Sequence, residues 1–339
     1  MKILQCIPVL DHGGGAERQL SYLAYEQAKR GHHVHVAFSR RGAYVDHLRP
    51  AGVVFHDVGG RGNHDPRILI RLIRLIASLR PNLVQTTAAQ MDILGGTAAL
   101  LTGTPWILRE PSSAPSYGSD WKSRLRRMLG AGATAIVSNS RGGDAYWSGA
   151  HTRYVIPNGL PFDEIGTVVP NPDNVVLFAG RLNEGKNAAT LLDALAHVGA
   201  DFTAVICGDG PQRDELQQKA DARVVFTGLV TDLWERMRHA AVVVSLSHFE
   251  GCPNVVMEAM ACGVPLVVSD IPAHRELLAD GMALFVGADD VAAAAQAIEA
   301  TLLDREAAKA RARAARAHVA HCSIDALVRH YDQVYRDLA

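Results

Sequence analysis

Two acids and two cations are the side chains whose types and spacing suit a chemical step. The cations are Arg181 and Lys186, in Gly180-Arg181-Leu182-Asn183-Glu184-Gly185-Lys186-Asn187. This loop directly follows the apolar run 175–178, so both cations stand at the carboxyl end of a buried strand. Two fixed positive charges there suit a diphosphate, whose charge grows as its bond to another group breaks. The acids are Glu250 and Glu258, in Ser247-His248-Phe249-Glu250-Gly251-Cys252-Pro253-Asn254 and the helical stretch after it. The free amides of Asn254 and Val255 open that helix and suit a phosphate. Glu258, about one turn further in, is placed to accept from ribose hydroxyls. A third stretch, Gly13-Gly14-Gly15-Ala16-Glu17-Arg18, lies between the first strand and a helix, where glycines let backbone amides approach an anion. It is not the dinucleotide fingerprint, because Arg18 stands where a third glycine belongs. Each motif also has a plain reading: a surface loop, acids that solvate a helix start, a tight strand-to-helix turn.

The elements that must position these residues alternate strand, turn and helix. Strand-like runs fall at 3–8, 34–38, 53–55, 83–86, 106–108, 135–138 and 154–156, with helical stretches such as 16–29, 66–79 and 125–130. A proline-rich passage at 157–172 (Pro157, Pro161, Pro170, Pro172) reads as a linker. The pattern then restarts at 175–178, 203–207, 224–226, 242–246 and 266–269, and the Ala/Arg-rich 292–320 is helical by composition. Strands apolar on both faces, alternating with helices, indicate parallel sheets. The fold expected is α/β, two Rossmann-like domains whose sheets face across a cleft. Ligands of open parallel sheets bind at the strands' carboxyl ends. The domains expected are 1–160 and 161–322. A helix at 323–339 crosses back to the first domain.

The motifs occur in an order that closely resembles the retaining GT-B glycosyltransferases of family 4, the glycosyl transferases group 1. The matching pieces are Gly-Gly-Ala-Glu-Arg at 14–18, Ile-Pro-Asn-Gly at 156–159, Gly-Arg-Leu with Lys-Asn at 180–187, Gly-Asp-Gly-Pro at 208–211, and the pair Glu250 and Glu258. The resemblance implies that Arg181 and Lys186 clamp the donor diphosphate beside Gly180. It makes Glu250 the contact to the transferred sugar and Glu258 the ribose ligand. Gly14 and Gly15 belong to the loop that closes on the phosphates, and Gly208-Asp209-Gly210-Pro211 is an architectural turn. Where many relatives carry His-Gly after the fifth strand, this chain has Arg109-Glu110-Pro111-Ser112-Ser113. Arg109 is then expected to meet a donor or acceptor phosphate.

The activity implied is transfer of a sugar from a nucleotide diphosphate, UDP before GDP, to a glycan or lipid-linked acceptor in bacterial surface polysaccharide assembly. A double displacement needs a carboxylate nucleophile with a second carboxyl nearby. Glu250 is assigned instead to the sugar, so front-face substitution with retention is expected, helped by Arg181 and Lys186. No Asp-x-Asp occurs, and no metal or other cofactor is expected. Two alternatives remain at this level: a sugar-nucleotide epimerase of the same architecture, and a non-catalytic sugar-nucleotide binder.

Residues 1–165 hold 19 Lys+Arg against 12 Asp+Glu, a balance of +7, whereas 166–339 hold 15 against 23, a balance of −8. A basic first half suits an anionic membrane or a phosphorylated acceptor, with no nucleic acid expected. Trp121-Lys122-Ser123-Arg124-Leu125-Arg126-Arg127-Met128 could lie on such a membrane or be an ordinary surface helix. Five cysteines without a C-x-x-C and the lack of a long apolar run point to the cytoplasm, at the inner face of its membrane. His32-His33-Val34-His35 has no acidic or cysteine neighbour and reads as a turn into a strand.

Overall fold

Short apolar runs rich in Val and Ile become strands buried on both faces. The computed structural model describes the chain except residues 11–13, 43, 63, 64, 151, 168, 170, 171 and 339. Gly13 of the glycine loop and Pro170 therefore lie outside the described residues. Contacts divide the chain into two units, residues 1–159 with 324–339, and 160–323.

The first unit holds a seven-stranded sheet in the order β3-β2-β1-β4-β5-β6-β7. Its strands are β1 (Lys2–Val9), β2 (His33–Arg40), β3 (Val54–Asp57), β4 (Leu83–Thr87), β5 (Trp106–Glu110), β6 (Ala135–Ser138) and β7 (Arg153–Val155). Every residue of β4, β5 and β6 is buried, because helices cover both faces. Helices Arg67–Leu79, Ala89–Thr102 and Trp121–Gly130 pack in sequence on one face. The other face takes helix Ile324–Asp337, whose Leu327, Val328, Tyr331 and Tyr335 join Ile3, Leu83 and Ile107 in one core cluster. Tyr335 Oη donates to Gln85 Oε1 at 3.0 Å and accepts from Gln27 Nε2 at 2.8 Å, so its hydroxyl is satisfied where it is buried.

The second unit repeats the plan with six strands in the order β10-β9-β8-β11-β12-β13. They are β8 (Val175–Ala179), β9 (Thr203–Cys207), β10 (Val224–Gly228), β11 (Val242–Ser245), β12 (Leu266–Ser269) and β13 (Leu284–Val286). All strand pairs in both sheets are parallel. The doubly wound order puts the switch between β8 and β11 beside the loops that leave their carboxyl ends, the usual binding edge.

One sequence reading changes and another gains detail. The passage 157–172 is largely not a free connector: Leu160 and Ile165 are buried in the second unit's core. The 292–320 tail is two helices, Val291–Leu303 and Arg305–Val319, because the Asp304 carboxylate accepts from Ala307 N at 3.0 Å and starts a new helix.

Candidate functional site

In the second unit, the loop after β8 rests on the loop after β9. Gly180 N donates to Cys207 O and Leu182 N to Asp209 O, both at 2.9 Å. Gly208 has φ +148°, and a Cβ there would fall 1.8 Å from Gly180 O, so only glycine fits beneath the cation loop. Leu182 is fully buried and anchors this loop, while Arg181 points out, exposed and with no side-chain partner among the described residues. Asn183 then caps a short turn, its Oδ1 accepting from Lys186 N at 3.0 Å.

The loop after β11 meets the same place. Lys186 Nζ donates to Glu250 Oε1 at 2.5 Å, and Ser247 Oγ donates to that oxygen at 2.8 Å. Glu250 Oε2 accepts from no described residue, so this oxygen is open to a further donor. Helix Asn254–Cys262 follows, with half-buried Asn254 and Val255 at its start and Glu258 only 2% exposed on its second turn. Behind Ser247, Ser269 Oγ donates to Ser247 O at 2.6 Å, and His274 Nδ1 lies 2.8 Å from Ser269 O. His274 is fully buried, and its Nε2 has no hydrogen-bond partner among the described residues. Burial pushes its ionisation below the ordinary histidine range; the Ser269 carbonyl and, less strongly, the Glu250 carboxylate only partly offset this. Ser247 and His274 were not singled out from the sequence. The serine three places before Glu250 was the available signal for the first, while the contact of His274 with β12 depends on the fold.

In the first unit, Gly14 caps helix Gly15–Lys29 with an ordinary extended backbone, φ −128° and ψ 144°. The Glu17 carboxylate folds against it, 1.8 Å from where a Cβ would stand, as an acid in a first helical turn favours. Arg109, expected to meet a phosphate, is held inside the first unit. It is 3% exposed, and its guanidinium donates to Asn158 Oδ1 at 3.1 Å and Ala16 O at 3.5 Å. Gln19 and Gly159 exchange two hydrogen bonds of 2.8 Å beside it. Ile-Pro-Asn-Gly at 156–159 thus ties β7 to the first helix, and a side chain so enclosed holds that junction together.

The basic helix Trp121–Gly130 is also revised. Arg126 is 1% exposed, inside the unit, paired with Asp92 at 2.7 Å and Glu110 at 2.9 Å. Its guanidinium stacks over Tyr117 and Trp147, 4.5 and 5.0 Å from the ring centres. Burial pushes the Asp92 carboxyl up to about 6 in spite of Arg126. Trp121, Lys122, Arg124, Arg127 and Met128 stay exposed on this helix, as do Arg67, Arg71 and Arg74 on Arg67–Leu79. No acidic side chain of the three helices on this face is exposed.

Among the described residues, no group of three or more His, Cys, Asp or Glu could hold a metal ion. Among the described residues, no helix is long and apolar enough to cross a membrane.

Comparison with known proteins gives concordant results. A family model described as "Glycosyl transferases group 1" matches residues 173–304, and one described as "Glycosyl transferase 4-like domain" matches residues 14–159. The chain is 30% identical over 266 residues to a Bacillus subtilis protein that bears the name glycosyltransferase EpsF, covering 67% of this chain and 68% of that protein. It is 37% identical over 163 residues to the phosphatidyl-myo-inositol mannosyltransferase of Mycobacterium leprae, covering 43% of each. It is 29% identical over 167 residues to a Campylobacter jejuni N-acetylgalactosaminyltransferase named for a diphospho-undecaprenol-linked substrate, covering 46% of each. Among solved structures, Anabaena HepE in complex with UDP-glucose superposes with a TM-score of 0.90 at 20% identity, over 99% of this chain and 100% of that one. That likeness establishes the GT-B fold.

Proposed function

Because the chain belongs to the glycosyl transferases group 1 family and is a glycosyltransferase, we propose that it moves a sugar from a UDP-sugar to a lipid-linked or glycan acceptor, with retention and without a metal. The observation that carries this reading is the junction of two loops, where Lys186 and Ser247 grip one oxygen of Glu250 and leave the other open. Arg181 reaches solvent from the same loop as Lys186. Helix Asn254–Cys262 turns its first amides to the carboxyl edge of the sheet.

The pyrophosphate of the donor lies against these cations and amides. As the bond between the anomeric carbon and the β-phosphate oxygen breaks, negative charge grows on that oxygen. Arg181 and Lys186 stabilise it. The acceptor hydroxyl attacks from the same face and gives its proton to the departing phosphate oxygen, so the products are a glycoside and UDP. Glu250 Oε2 accepts from a hydroxyl of the transferred sugar, and Glu258 from the ribose.

HepE, crystallised with UDP-glucose, makes a UDP-sugar the first donor to test. Relatives named for undecaprenol- and phosphatidylinositol-linked substrates favour a lipid-linked acceptor, met at the inner face of the cytoplasmic membrane. The exposed Arg, Lys and Trp side chains on one face of the first unit suit that surface.

Lys186→Ala and Glu250→Ala should each lower kcat by about 10²–10³-fold in a donor-to-acceptor transfer assay, with the far-ultraviolet spectrum unchanged. Transfer that survives both substitutions overturns the mechanism. Proton coupling at the product's anomeric carbon reads retention, and transfer in excess chelator reads metal independence.

A further inference from the structure

We propose that His248 is a positioning residue for the donor, holding the loop that carries Lys186 in register with the loop that carries Glu250. Three loops of the second unit meet at this side chain. Its backbone N donates to Gly185 O at 3.0 Å, its Nδ1 lies 3.0 Å from Glu184 O, and its Nε2 lies 2.8 Å from Asp289 Oδ1. A carbonyl and a carboxylate only accept, so the ring serves both when each nitrogen carries a proton.

The residues around it reinforce the same junction. Asn187 Nδ2 donates to Ala288 O at 2.8 Å and to Asp289 Oδ1 at 3.3 Å, which ties the far end of the cation loop to the loop after β13. Asn187 adopts φ +53°, a left-handed conformation that its Oδ1 supports by accepting from Thr190 Oγ1 at 2.9 Å. The Phe249 ring closes over Gly185, where a Cβ would stand 3.1 Å from the ring edge. Lys186 is therefore flanked by two anchors, Gly185 against the His248 main chain and Asn187 against Ala288 and Asp289, the carboxylate that also meets the His248 ring.

The charged groups around the ring are Glu184 and Lys186 on the cation loop, Glu250 on its own loop, and Asp289 and Asp290 after β13. The Asp290 side chain is committed to Ala293 N at 2.9 Å and Lys186 is paired with Glu250, while Asp289 is the carboxylate that meets the ring, at 2.8 Å. The His248 and Asp289 side chains are 38% and 77% exposed, so their pairing does little for global stability and acts on the loops.

The inference rests on the donor-binding reading above. The test compares His248→Ala, Asp289→Ala and the double variant with the unaltered chain, by calorimetric titration with UDP and with GDP and by transfer kinetics. Each single variant should weaken nucleotide binding about five- to tenfold, the loss expected for one solvent-exposed hydrogen bond. KM for the donor should rise in step with kcat held within about twofold, and the double variant should be no worse than either single one. Tm should stay within about 2 °C of the unaltered chain. His248→Gln, which keeps one donor, should recover part of the affinity. If the unaltered chain binds neither nucleotide, the donor reading falls and this inference with it. If it binds and the variants bind equally well, or if their effects simply add, this inference alone is overturned.

Discussion

At the scale of single residues, the candidate site depends on positions that touch no ligand. Gly208 is one. Its φ of +148° and the 1.8 Å approach to Gly180 O leave no room for a methyl group. Gly208→Ala should destabilise the second unit by about 2–3 kcal/mol and weaken nucleotide binding, as read by thermal unfolding and titration. Unchanged unfolding would show that the two loops are not wedged together. His274 is another. Its ionisation is lowered by burial, so the folded state favours the neutral ring. The stability this confers is present above the ordinary histidine range and is lost as pH falls through it. Asp92 has the opposite sign: its contribution is full at low pH and is lost as pH rises through about 6. The comparison must therefore be with His274→Gln, in which Asp92 is common to both chains. Between pH 7.5 and pH 5.5, Tm should fall more for the unaltered chain than for the variant; equal slopes would exclude His274 as the cause.

At the scale of elements, the strands were legible because parallel strands buried on both faces read as short apolar runs. The strand Ala135–Ser138 is an example, found with its full span. The three-residue β13 was missed, since Leu-Phe-Val at a sheet edge carries no periodicity. Arg181, Lys186, Glu250 and Glu258 were legible as strand-end loop and helix residues. What could not be read was which of them pair, because the Lys186–Glu250 contact joins loops far apart in sequence. Arg126 shows the same limit. The basic stretch 121–128 placed it on a surface helix, but the fold buries it against Asp92 and Glu110, which no local pattern links. Arg126→Met should cost about 3–5 kcal/mol, since two buried carboxylates lose their common cation. Adding Asp92→Asn and Glu110→Gln should restore part of that loss in a denaturant titration. If it does not, the carboxylates are not the source of the cost.

At the scale of the whole molecule, charge is distributed unevenly. Arg67, Arg71, Arg74, Lys122, Arg124 and Arg127 share one face of the first unit with Trp121, which is 68% exposed, and Met128, which is 67% exposed. Sedimentation with vesicles should show binding when anionic lipid is present, weakening as salt rises, and little binding to zwitterionic vesicles. Reversing Arg124 and Arg127 to Glu should reduce that binding at least tenfold, at about 1 kcal/mol for each charge removed near the surface. Equal binding by the double variant would place the contact elsewhere. The helix Ile324–Asp337 carries a different consequence, for the order in which the molecule is made. Residues 160–323 form a continuous segment with its own core, whereas the core cluster around Ile3, Leu83 and Ile107 needs Leu327, Tyr331 and Tyr335 from the other end of the chain. During synthesis, the half that leaves the ribosome second is the first able to finish folding. The earlier half must wait with the part of its sheet around Leu83 and Ile107 uncovered until the stretch beyond residue 323 arrives.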